Sequence, residues 1–175
     1  MEHWIRRETI YKGRIVTLST GTVRLENGNE AQREVLDHPG AVGIVPCLGD
    51  SVVLVRQYRI AVEKYILEIP AGKLEGNESA KDRARAELEE ETGYRAAKLE
   101  YVGNFYPSAG ILNEKVHLYL AFDLTKTVQR LEEDEDIEII EMSLEEVRER
   151  LAKNAFEDAK TIIGLSALLA RQTAR

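Results

Sequence analysis

Between Gly72 and Tyr94 the chain carries four glutamates at fixed offsets, Glu78, Glu87, Glu90 and Glu91, behind a glycine loop (Gly72 to Asn77) and ahead of a glycine stop, Gly93. Glu87, Glu90 and Glu91 stand at i, i+3 and i+4, a spacing that stacks side chains on one helix face about a turn apart. Like charges so placed repel, and a divalent cation would neutralise them. Hard carboxylate oxygens favour Mg²⁺, with Mn²⁺ as the alternative, over zinc. The competing reading is a solvated helix face, because Glu87-Leu88-Glu89-Glu90-Glu91 taken alone is only a dense charge run.

The elements that must position these side chains have legible ends. Ser79 with Asp82 reads as a helix N-cap and its partner, Gly93 as the residue past the helix C-terminus, and Ala80, Ala84 and Leu88 as the inner stripe. Tyr65 to Ile69 reads as a short strand ended by Pro70-Ala71-Gly72. Ala41 to Leu48 and Ser51 to Tyr58 read as strands joined by a tight turn at Gly49-Asp50, and the unbroken apolar run Val52 to Val55 predicts cover on both faces. Leu99 to Phe105, Val116 to Phe122 and Ile137 to Met142 read as further strands. Ser143 with Glu146 caps a helix to about Lys153, and Asp158 to Arg171 forms a second. Upstream, Ile15 to Leu18, Thr22 to Leu25 and Glu30 to Leu36, with Asn27-Gly28 as a turn, read as a small antiparallel sheet, and His38-Pro39-Gly40 breaks the chain after it. The pattern predicts an α/β fold, an α/β/α sandwich with a mixed sheet, divided into residues 1–38 and 39–175.

Bulk properties narrow the partners. At 175 residues the chain can bury an apolar core, and a formal charge of −7 with a pI near 5.2 argues against general nucleic-acid binding. A polyanionic substrate would then need metal. A single cysteine, Cys47, excludes an intramolecular disulfide and suits a reducing compartment. Residues 162–170 are too short an apolar segment to span a bilayer, and the start lacks a signal-peptide pattern. A cytoplasmic protein without membrane partners is expected. His3, His38 and His117 show no spacing suited to a metal site.

The spacing Gly72, five residues, Glu78, seven residues, then Ala86-Glu87-Leu88-Glu89-Glu90-Glu91-Thr92-Gly93-Tyr94 resembles the Nudix box, matching every defined position except an arginine where Ala86 stands. Val55 to Arg59, Glu68 to Gly72, Tyr106 to Ser108, Glu114 and Asp158 to Thr161 resemble the ADP-ribose pyrophosphatase-like branch of the Nudix hydrolases. The resemblance implies a Nudix-type sandwich preceded by a small N-terminal sheet that builds a homodimer. It implies Mg²⁺-dependent hydrolysis of the pyrophosphate of a nucleoside diphosphate sugar, ADP-ribose to AMP and ribose 5-phosphate. GDP-mannose or another sugar nucleotide is the alternative.

By the same resemblance the Ala71 carbonyl, Glu87 and Glu91 would hold the principal ion, with Glu90 joining a second ion or acting in catalysis. Glu78 would brace the loop, and Glu114, in the loop after Phe105, would be the mobile base. Arg59 and Arg56, at a strand end, are candidates for a substrate phosphate, a surface ion pair being the competing reading. Glu75, Ser108, Gly110 and Glu135 match pocket positions, and Ile15 with Arg33 would come from the partner subunit's sheet. Two departures stand out: Ala86, for which Arg83 at i−4 from Glu87 is a substitute, and Ala109, where the branch carries a proline. If Ala86 marks a degenerate box, the chain would instead be a ligand-binding module. A purely structural protein with an acidic helix is the third reading.

Overall fold

The computed structural model describes residues 1–76, 78–133 and 135–173. Asn77, the last residue of the expected glycine loop, and Asp134 of the acidic run lie outside the described residues. The chain divides into two units, Met1–Gly40 with Tyr106–Lys115, and Ala41–Phe105 with Val116–Arg175.

The first unit is a three-stranded antiparallel sheet, β1 (His3–Lys12), β2 (Thr17–Arg24) and β3 (Glu30–Asp37), in that spatial order. The turn at Asn27-Gly28 forms as expected, with the Gly28 N–H donating to the Leu25 carbonyl at 3.0 Å. The strand assignment needs correction. Leu18 and Thr22, placed on separate strands by the sequence, share β2, and the first strand is His3–Lys12, which pattern reading missed; Ile15 lies in the connection between them. All ten residues of β1 are exposed, so no alternation of burial marked it. Gly21 records the pairing instead: a Cβ there would stand 2.0 Å from the Arg6 carbonyl oxygen, so the β1 backbone needs glycine opposite it. Residues 106–115 return to this sheet through Leu36 N–H to the Ile111 carbonyl (2.8 Å) and Asn113 Nδ2 to Asp37 Oδ1 (2.7 Å).

The second unit is a mixed sheet built on β4 (Ala41–Leu48), β5 (Ser51–Arg59), β6 (Lys64–Glu68), β7 (Ala71–Lys73), β8 (Tyr94–Phe105), β9 (Val116–Lys126) and β10 (Ile137–Ser143). Its order is β10-β5-β4-β9-β8, with β6 on β5 and β7 on β4. The β4–β9 pair is parallel and the others antiparallel. Helix α1 (Ala80–Thr92) covers one face, where Ala84 and Leu88 pack with Val42, Ile44 and Tyr119. Helices α2 (Leu144–Ala152) and α3 (Ala159–Thr173) cover the other, where Val147, Leu165 and Leu168 pack with Val45, Leu118 and Leu120. Successive residues of β4 therefore serve opposite layers, which is the pleat's alternation seen from a strand covered twice. Burying a side chain such as Leu88 is worth about 1.5–3 kcal/mol, so this inner stripe is what seats α1 on the sheet.

Candidate active site

Helix α1 begins and ends where its capping chemistry dictates. The Ser79 hydroxyl oxygen accepts from Asp82 N–H at 3.1 Å and donates to the Asp82 carboxylate at 2.6 Å. Gly93 stops the helix in the left-handed region (φ 65°), its N–H donating to the Glu89 carbonyl at 2.9 Å. Because Ala84 and Leu88 face the sheet, the helical period carries Glu87 and Glu91 inward beside them, to 5% and 3% exposure. Glu90 stays half-buried.

The two carboxylates meet the backbone of β7. Pro70-Ala71-Gly72, expected only to end a strand, opens a three-residue strand paired with β4, Ala71 opposite Gly43 and Gly72 opposite Val42. So short a strand has no side-chain periodicity to announce it. Ala71 N–H donates to Glu91 Oε2 at 2.9 Å. A Cβ at position 72 would fall 1.4 Å from Glu87 Oε1, so any side chain there would displace that carboxylate from the loop.

Burial pushes Glu87 up to about 7, with the charges of Glu90 and Glu135 adding and Arg83 opposing. Burial pushes Glu91 up to about 8, reinforced by Glu87 and Glu135 and opposed by the Ala71 N–H and Arg59. Arg83 is the cation of the cluster. Its Nη2 contacts Glu87 Oε1, Nη1 stands 3.9 Å from Glu90 Oε2, and Nε stands 3.9 Å from Glu78 Oε1. That Nε is buried without a hydrogen-bond partner.

This donor set fits a divalent ion. It offers hard oxygens only, two of them on carboxylates whose charge burial disfavours, beside a peptide strand that can add a carbonyl. Among the described residues no three His, Cys, Asp or Glu groups already converge as a metal cluster. Glu87 Oε1 contacts Arg83, and Glu91 Oε2 accepts from the Ala71 amide.

The pH dependence follows. Both folded carboxyls titrate above the ordinary 4.5, so between about pH 4.5 and 8 the folded chain binds more protons than the unfolded one. Their contribution to the stability of the metal-free protein therefore falls as pH rises through that window, while a cation that needs them ionised binds better at its top. The rise in melting temperature produced by Mg²⁺ is expected to be larger at about pH 8.5 than at about pH 6. Differential scanning calorimetry at both values checks it, and a pH-independent rise would contradict it.

The other candidates distribute as follows. Glu135 acts electrostatically on both buried carboxylates, while its own Oε2 accepts from Glu132 N–H at 3.0 Å. Glu75 N–H donates to Glu78 Oε1 at 3.1 Å, so Glu78 does brace the turn ahead of α1. Arg56 is taken up by Glu138 (2.8 Å) and lies over the Tyr65 ring. Arg59 grips Glu68 through Nε and Nη2 at 2.6 and 2.7 Å. Glu114, Ser108, Gly110, Ile15 and Arg33 belong to the first unit. There Glu114 Oε1 stands 3.6 Å from His38 Nδ1, and the Ser108 carbonyl accepts from Ile111 and Leu112 N–H. Gly110 lines a cavity of about 240 Å³ with Tyr106 and Val35, Ile15 is exposed, and Arg33 pairs with Glu2. Sequence reasoning assigned no role to Glu68, which is 2% exposed. Its signal was a charge closing an apolar strand, since a charge buried there must be paired.

Residues 37–163 match the family model of the NUDIX domain. The chain belongs to the Nudix hydrolase family. It is 39% identical over 170 residues to an ADP-ribose pyrophosphatase of Bacillus subtilis (strain 168), covering 95% of this chain and 92% of that one. It is 41% identical, with the same coverage, to a methanol dehydrogenase activator of Bacillus methanolicus. The crystal structure of an ADP compounds hydrolase superposes with a TM-score of 0.87 at 23% identity, over 99% of this chain and 95% of that one, a likeness of fold. No helix among the described residues is long and apolar enough to cross a membrane.

Proposed function

We propose that the protein is a Mg²⁺-dependent pyrophosphohydrolase of nucleoside diphosphate sugars that converts ADP-ribose and water to AMP and ribose 5-phosphate. The observation that carries the reading is the buried Glu87–Glu91 pair laid against the Ala71-Gly72 backbone. The name of the Bacillus subtilis relative supports the choice of sugar nucleotide.

In the reaction a water oxygen bonds to one phosphorus as the bridging P–O bond breaks, and a proton leaves the water. Glu87, Glu91 and the Ala71 carbonyl would hold the principal ion, with Glu90 beside them. A divalent ion there supplies charge to the phosphate oxygens and lowers the pKa of a water. Arg83 keeps Glu87 and Glu90 in place from the same helix face. Glu114, the mobile base of the sequence reading, would accept the water's proton, with half-buried Glu90 as the alternative acceptor within the acidic cluster. Trp4, Ile5, Ile10 and Tyr11, exposed on β1, support a homodimer through the N-terminal sheet, which sedimentation velocity tests.

Incubation with ADP-ribose and Mg²⁺, with products resolved by chromatography, is expected to yield AMP, and EDTA to stop it. No AMP with any divalent ion would overturn the reading. Faster turnover of GDP-mannose in the same assay would replace the substrate and keep the chemistry.

A further inference from the structure

Three segments, at residues 55–59, 68–69 and 158–161, converge on Glu68, just ahead of the Ala71-Gly72 backbone that the acidic cluster uses. Its carboxylate receives the Arg59 fork, Nε at 2.6 Å and Nη2 at 2.7 Å, together with Lys160 Nζ. Lys160 also bonds Asp158 Oδ1 at 3.0 Å. Asp158 Oδ2 caps α3 by accepting from the Thr161 N–H (2.9 Å) and hydroxyl (2.5 Å). The same Thr161 oxygen accepts from Ile69 N–H at 2.8 Å, so the chain leading into Ala71 is tied to α3 by backbone and side chain together.

The pairing is asymmetric. Glu68 is 3% exposed at its side chain and Arg59 is 42% exposed. Burial pushes Glu68 upward, but the Arg59 fork and Lys160 outweigh it and hold the carboxyl below its ordinary value. Were neutralising Glu68 the only task, a part-buried lysine already serves it. Arg59 uses one edge of its guanidinium for Glu68, which leaves Nη1 without a partner among the described residues. Its charge is felt at Glu91, which places it within electrostatic range of the acidic site. A planar guanidinium gripped along one edge has its remaining N–H groups fixed in direction, and Arg matches phosphate oxygens with such groups.

We propose that Glu68, anchored by Lys160 and the start of α3, is a positioning residue that presets Arg59 to receive a substrate phosphate. The proposal rests on the function above. Ordering a long side chain before the ligand arrives removes that cost from binding, an effect of up to about tenfold.

The test measures dissociation constants for ADP-ribose and for inorganic pyrophosphate by calorimetry in EDTA, and KM and kcat with Mg²⁺. Arg59→Ala, Glu68→Gln and the double variant are compared with the wild type. Each single substitution is expected to raise Kd and KM about tenfold with kcat nearly unchanged, and the double variant to bind no worse than Arg59→Ala. Unchanged binding in Arg59→Ala, or single effects that multiply in the double, would overturn the proposal. Should Glu68→Gln fail to fold, Lys160→Gln takes its place. It is expected to raise KM about threefold in the wild type and not at all in Arg59→Ala, and equal effects in both backgrounds would overturn the proposal. Arg59-dependent binding of pyrophosphate without AMP release would remove the substrate assignment and leave this one. AMP release with Arg59 silent would do the reverse.

Discussion

Glu91→Gln is expected to lower kcat at least about a thousandfold and, at about pH 8.5, to raise the melting temperature of the metal-free protein. The two effects have opposite signs for one reason. Glu91 is 3% exposed, and burial together with Glu87 pushes its carboxyl up to about 8, so its ionised form opposes folding. Glutamine keeps the shape and can still accept the Ala71 amide, but removes a buried charge worth a few kcal/mol at about 1.36 kcal/mol per pH unit. For a chain of this length that is a rise of roughly 5–10 °C. The ion then loses a carboxylate ligand, and with it several kcal/mol of transition-state stabilisation. Calorimetry in EDTA and steady-state kinetics in Mg²⁺ read the two halves separately. A variant that is both slower and less stable without metal would show that Glu91 is a structural acid.

The second large effect is expected at Arg83. Arg83→Ala removes the cation that lies within 4.0 Å of Glu78, Glu87 and Glu90. Its contact with Glu87 falls on Oε1, and an ion taking the other oxygen would find the side chain already fixed by the guanidinium. Loss of a group that orients ligands in this way costs about 10 to 100-fold in metal affinity or rate. Half-saturation by Mg²⁺ and kcat measure it. Placing arginine one residue before Glu87, as Ala86→Arg in the Arg83→Ala background, is expected to recover most of the loss. An Arg83→Ala enzyme with wild-type metal dependence would remove Arg83 from the site and leave the acidic cluster without an orienting cation.

What the sequence reveals about this molecule is what is local. Ser79 and Gly93 bound α1, Asn27-Gly28 and Gly49-Asp50 turn two hairpins, and Val52 to Val55 is buried as its unbroken apolar run requires. The spacing of Glu87 and Glu91 likewise puts them on one helix face, and the structure turns that face inward. Strand β1 escaped because all ten residues are exposed and carry no alternation. Strand β7 escaped because three residues of backbone pairing leave no side-chain pattern. Glu68 could be read as the end of an apolar strand, but its partner Lys160 lies 92 residues away, a distance that no local spacing rule spans. Arg83 was visible as i−4 from Glu87, yet only the folded helix brings Glu78 to the same guanidinium.

The account stands on a divalent ion bound between Glu87, Glu91 and the Ala71 carbonyl. Crystals grown with Mn²⁺ and measured at its absorption edge test this most directly. One strong anomalous peak in contact with both carboxylates and that carbonyl is the expected result, with a second ion beside Glu90 accommodated. Anomalous density elsewhere, with Glu87 and Glu91 untouched, would contradict it.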